Sequence, residues 1–151
     1  MRYDGPREVA VADRFREMKL QWKVDLVADP SLTFDGRRLV VSLLVFMDKE
    51  DRELRMAEYM AFHGLKKESD IPDIEFNRFG YCKAHFEFDR FDDFSCSGRG
   101  ERSAKRAVDR LDLGVYERMD AQGERAGYVF VGHDLVLSVA AKGHSVRLER
   151  L

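Results

Sequence analysis

The chain has 151 residues, with 26 Lys and Arg against 28 Asp and Glu, a formal net charge of −2, and 44 % apolar residues. That is the size and composition of one globular domain over residues 1–151: too apolar for a disordered chain, and without the composition break a linker would bring. The longest apolar stretches, Leu39–Val41 and Leu43–Met47, are too short to cross a bilayer, no secretory-type apolar segment follows Met1, and Cys82 and Cys96 make no disulfide framework, so a cytoplasmic protein without a membrane contact is expected.

In chain order, the first predicted element is a helix ending near Trp22. Asp4 is placed to cap it, Pro6 suits its first turn, and Val11, Phe15, Met18 and Trp22 recur at helical spacing. Trp22, Val24, Leu26 and Ala28 then alternate as in a half-buried strand that Asp29-Pro30 closes. "SLTFDGRRLVVSLLVFMD" reads as a hairpin about Asp35-Gly36, and its second strand, Leu39–Met47, is apolar on both faces and belongs at the centre of a sheet. Asp48 as a cap and Gly64 as a stop predict a helix between them, although Leu54, Met56, Met60 and Phe62 also fit a period of two.

"DIEFNRF" and "GYCKAHFEFD" predict one long strand or two short ones about Gly80. After a loop to about Gly98, Ala104, Val108, Leu111, Val115 and Met119 lie along one helical stripe that Gly123 ends, with Gly114 as a weak point. "GYVFV", "LVLSVAA" and "HSVRLERL" close the chain as a three-stranded antiparallel meander, with turns at Gly132-His133-Asp134 and Lys142-Gly143. The expected class is α+β: a single domain with an antiparallel or mixed sheet, helices packed on one side, and that C-terminal meander.

One segment stands out. Phe76–Phe94 holds seven of the chain's seventeen aromatic residues, and Glu68–Ser95 carries eight acidic residues against three basic ones. Strand parity puts Cys82, Ala84, Phe86 and Phe88 on one apolar face and Tyr81, Lys83, His85 and Glu87 on the other. Phe86 and Phe88 are therefore expected in the core, while "DRFDDF" sets Phe91 and Phe94 among carboxylates beyond the strand. Exposed rings ringed by acidic groups suit a basic protein surface. A partner-binding surface is expected from Tyr81, His85, Glu87, Asp89, Phe91, Asp92, Asp93 and Phe94, in a small non-catalytic binding protein of inhibitor or immunity type.

Other chemistries have weaker carriers. "RFGYCKA" resembles the RNP1 signature of the RNA-recognition motif at Arg78, Phe79, Gly80 and Tyr81, which implies rings stacking on unpaired bases of single strands. Ala84 stands in the place of that motif's last aromatic, and the surrounding carboxylates would repel phosphate. Cys82-x-x-His85 would diverge on a strand, and Asp89, Asp92 and Asp93 lack the frame of a calcium loop, so no metal and no cofactor is expected. Ser97, His85 and Asp92 contain the residue types of a hydrolytic triad, but no nucleophile elbow accompanies them. The alternative to a binding protein is a small enzyme or ligand-binding domain. Its anion site, for a nucleotide or coenzyme A, would be Gly98, Arg99, Gly100, Arg102 and Lys105 at a loop-to-helix junction, where Gly-x-Gly resembles the pyrophosphate loop of GNAT-type acetyltransferases.

Overall fold

Alternating burial, rather than helical spacing, organises most of this chain. A computed structural model describes residues 14–25, 28–99 and 107–151. Its strands are β1 (Phe15–Glu17), β2 (Lys23–Val24), β3 (Ser31–Asp35), β4 (Arg38–Phe46), β5 (Tyr81–Phe88), β6 (Asp93–Gly98), β7 (Gly114–Met119), β8 (Arg125–Val131), β9 (Leu135–Ala140) and β10 (Ser145–Arg150). Its α-helices are α1 (Lys49–His63) and α2 (Asp73–Arg78).

The strands form two antiparallel sheets. The first has the order β1-β7-β8-β9-β6. The second has the order β10-β5-β4, and both β2 and β3 pair with the far side of β4, β3 along Arg38–Ser42 and β2 at Val45–Phe46. The two sheets share one core. Leu39, Val41, Leu43 and Val45 of β4 and Cys82, Ala84, Phe86 and Phe88 of β5 meet Val115, Tyr128, Phe130, Leu137 and Val139 from the other sheet. Phe86 lies 5.2 Å from Phe130 and Phe88 lies 5.3 Å from Tyr128, centroid to centroid. Each fully buried ring of this kind stabilises the fold by about 1.5–3 kcal/mol relative to exposure.

The helices gather where β5 begins and β10 ends. Asp48 caps α1 by accepting from the Asp51 N–H at 2.8 Å, and Gly64 ends it in the left-handed conformation at φ 67°, so its period-two pattern carried no strand. Met56 of α1 packs with Ile71 and Phe79 in a small core of its own. Arg55, also buried, ties α1 to the second sheet by donating to the Tyr81 and Leu151 carbonyls at 2.9 and 2.7 Å.

The α+β class, the antiparallel sheets, the Gly36 hairpin and the central position of β4 agree with the sequence expectations. The three-stranded meander is present as β7-β8-β9, one strand earlier than expected, because β10 leaves β9 and pairs with β5 along its whole length. Three elements are corrected. Phe15–Glu17 is a strand on β7, not helix, while the capping positions Asp4 and Pro6 lie outside the described residues. "DIEFNR" is the short helix α2, begun after Pro72. Val115 and Met119 belong to strand β7: Gly114 sits at φ 154°, a conformation only glycine adopts readily, and the chain turns there from a 3-10 turn (Ala107–Arg110) into extended structure. Val115 and Tyr116 are then buried on opposite faces, which a helical stripe cannot do.

Candidate functional site

The unusual surface lies at one open flank of the two sheets. Phe34 and Leu32 of β3 stand opposite Leu39 and Val41, so they point inward; Phe94 and Cys96 of β6 stand opposite Val139 and Leu137 and also point inward. Inward positions are normally covered by the facing sheet. Here β3 and β6 are outer strands of their sheets, and the gap between them stays open: Phe34 is 55 % exposed and Phe94 37 %. Phe91, in the connection from β5 to β6, fills the base of the gap against the shared core. The three rings touch mutually, with centroids 5.4, 6.0 and 6.4 Å apart in tilted or edge-on contact.

Charged groups surround this aromatic seam. Asp35, Asp89, Asp92 and Asp93 are exposed around it, as are Arg37 and Arg90. Arg38 is already engaged, donating to Asp89 at 2.7 Å and to Glu87 at 2.6 Å, and that engagement holds its guanidinium pKa above its ordinary value. Asp93 accepts from the Phe94 N–H at 2.8 Å, and among the described residues neither Asp92 nor Asp93 is in an ion pair. Beside the seam opens a cleft of about 830 Å³ between the β5–β6 connection and the turn before β10. His144 lines it, its Nδ1 2.9 Å from the Tyr128 hydroxyl and its ring stacked on Phe86; burial, then the Arg125 charge, pulls its pKa below the ordinary histidine value.

The eight residues expected to form one partner surface separate into two groups. Asp89, Phe91, Asp92, Asp93 and Phe94 border the seam. Tyr81 lies at the other end of β5, about 23 Å away at the usual rise per residue, against Phe46. His85 and Glu87, each 8 % exposed, lie on the outward face of the second sheet and are committed there. Glu87 accepts from Arg38 and pairs with Arg147 at 3.4 Å. The sequence reading missed Phe34, fifty-seven residues before its nearest seam partner in sequence, Phe91, and no local pattern links the two.

His85 instead joins a trio. Its Nδ1 lies 2.6 Å from Ser42 Oγ and its Nε2 2.6 Å from Glu149, the hydrogen bond to which holds the Glu149 carboxyl below its usual range. Serine, histidine and glutamate in sequence invite comparison with a hydrolytic triad, but acyl transfer also needs main-chain donors for the oxyanion. Ser42 sits in mid-strand with neighbours on both sides, opposite Ser31 and His85, so the adjacent N–H groups serve the ladder. The trio is a cross-strand tie that fastens β10 to β5 and β4. Cys82 faces the core and His85 faces outward, as strand alternation requires, and among the described residues no group of three or more His, Cys, Asp or Glu side chains assembles as a metal would need.

Of the residues expected to form an anion site, Gly98 and Arg99 are described. Gly98 ends β6, and the Arg99 guanidinium donates to the main-chain carbonyls of Gly132 and Leu111, each at 3.3 Å. Gly100, Arg102 and Lys105 lie outside the described residues. Phe79 of the RNP1-like stretch is a buried residue at the end of α2, not a ring displayed on a sheet. Comparison with protein-family models, with curated proteins and with solved structures finds no match for this chain.

Proposed function

We propose that this is a small non-catalytic binding protein that docks a basic protein surface on the seam of Phe34, Phe91 and Phe94. The single observation that supports the reading is the exposure of inward-facing rings: Phe34 and Phe94 occupy core positions on their strands, yet stay open to solvent beside exposed carboxylates. Large rings held rigidly by a scaffold give contact area at low entropic cost, and surrounding charge steers the encounter and selects the partner. Inhibitor- or immunity-type proteins work in this way, and that is the subclass we assign. Both cysteines are free thiols, which suits the reducing cytoplasm as the place of action.

The test is an affinity purification from the native host with the wild type and with the triple variant Asp92→Asn, Asp93→Asn, Phe94→Ser. The wild type is expected to retain a basic protein that the variant releases, with melting temperatures within a few degrees of each other. Equal retention by a folded variant would remove the seam as the docking site.

A further inference from the structure

We infer that the partner docks by adding an extended strand to β6, a mode that rests on the seam being the binding site and goes beyond it. Strand β6 is an edge: among the described residues it pairs only with β9, and all of its residues but Ser97 are exposed. The ladder sets which main-chain groups are used. Arg99 N–H donates to the Asp134 carbonyl at 2.9 Å in register with the β6–β9 pairs, so Ser97, Ser95 and Asp93 direct their main-chain groups into β9. Phe94, Cys96 and Gly98 direct theirs the other way. The Phe94 N–H is taken by the Asp93 carboxylate; the N–H and C=O of Cys96, the C=O of Phe94 and the N–H of Gly98 face the open side.

Edge strands are ordinarily blunted by proline, lysine or an inward charge. "FSCSG", residues 94–98, has none of these. What lies beside it is a receptor for side chains. Phe94 and Cys96 project to the inner side of the sheet, toward the gap between β6 and β3, so a strand paired to β6 would place every second side chain over Phe34, Phe91 and Phe94. One added strand would thus satisfy main-chain groups that have no strand partner among the described residues and cover the exposed rings together. Charge selects the occupant. Asp92 and Asp93 stand at the head of β6, in no ion pair among the described residues and nearer the edge strand in sequence than the exposed Arg90 and Arg37, which fits a segment whose apolar side chains alternate with Lys or Arg.

The probe is a fluorescein-labelled octapeptide alternating Lys with Val, read by anisotropy. Two companions accompany it: one N-methylated on alternate amides and one with Glu in place of Lys. The wild type is expected to bind the Lys peptide, and to bind each companion at least about tenfold more weakly, since one loses strand donors and the other loses charge complementarity. Cys96→Pro, which removes an N–H that faces away from β9, is expected to weaken the Lys peptide equally while near-UV circular dichroism stays native. Equal binding of the N-methylated peptide would overturn strand addition and leave side-chain docking at the seam intact. Undiminished binding by Phe34→Ser and Phe94→Ser would sink the seam itself. No binding of the Lys peptide at millimolar concentration also overturns the inference, as does a dimer that Cys96→Pro dissociates, which would give the edge to a second copy.

Discussion

Arg55→Met is the substitution whose cost is most directly readable from the structure. The guanidinium is buried beneath α1, with donors on the Leu151 and Tyr81 carbonyls at 2.7 and 2.9 Å, a third contact to the Arg78 carbonyl at 3.5 Å, and the Phe79 ring 5.5 Å away. Hydrogen bonds to a charged group contribute about 1.5–3 kcal/mol each, so the two short ones give roughly 3–6 kcal/mol gross. Burial, then repulsion from Arg150, pulls the Arg55 pKa below its ordinary value; the ion is therefore held at a solvation cost that methionine avoids. Water can reach the exposed end at Leu151 and recover part of its bond. The net loss expected is about 2 kcal/mol, a fall in Tm of roughly 4–8 °C for a chain of this size. Arg55→Lys should recover less than half of it, because one ammonium cannot span both carbonyls as the planar fork does. Urea unfolding followed by far-ultraviolet circular dichroism measures both. A change below about 0.5 kcal/mol for Arg55→Met would show that α1 is held by Met56 and its neighbours alone, and would refute the assignment of Arg55 as the tie.

Three further outcomes follow from the same geometry. Phe86→Ala should cost about 3–5 kcal/mol, as for a fully buried ring, whereas Phe34→Ala, with more than half of its ring already in water, should cost no more than about 2; equal losses in urea melts would contradict the division between core and seam. The unfolded chain takes up the proton of His144 at higher pH than the folded protein does, so stability should fall as pH drops from about 7 to 5, through the ordinary histidine range, and His144→Phe should flatten that slope. Gly127→Ala would drive a Cβ into the main-chain carbonyl oxygen of Val139 across the β8–β9 ladder, which a backbone cannot yield cheaply; a loss of about 1–3 kcal/mol is expected in thermal melts, and a neutral result would mean the two strands part easily.

Local signals carried those parts of the fold whose causes are local. Asp48 and Gly64 delimit α1, Gly36 turns the hairpin, and alternation along β5 separates Phe86 and Phe88 from His85 and Glu87. Residues 107–119 defeated the same logic because Val108, Leu111, Val115 and Met119 repeat at helical spacing by coincidence; the pairing of β7 with both β1 and β8 is a tertiary fact with no local mark. Of the site, the "DRFDDF" loop was visible as rings among carboxylates. Its meaning was not, because the seam is completed by Phe34 from another sheet and because His85 and Glu87 are taken up by Ser42, Arg38, Arg147 and Glu149, all brought near only by strand register.

The most direct measurement of the central claim is amide hydrogen exchange on the protein alone and in complex with the basic partner it retains. New protection is expected only at residues 31–35 and 89–98, the strands and connection that carry Phe34, Phe91 and Phe94. Protection at α1, or at the Tyr81 end of β5, with residues 89–98 exchanging as in the free protein, would contradict it.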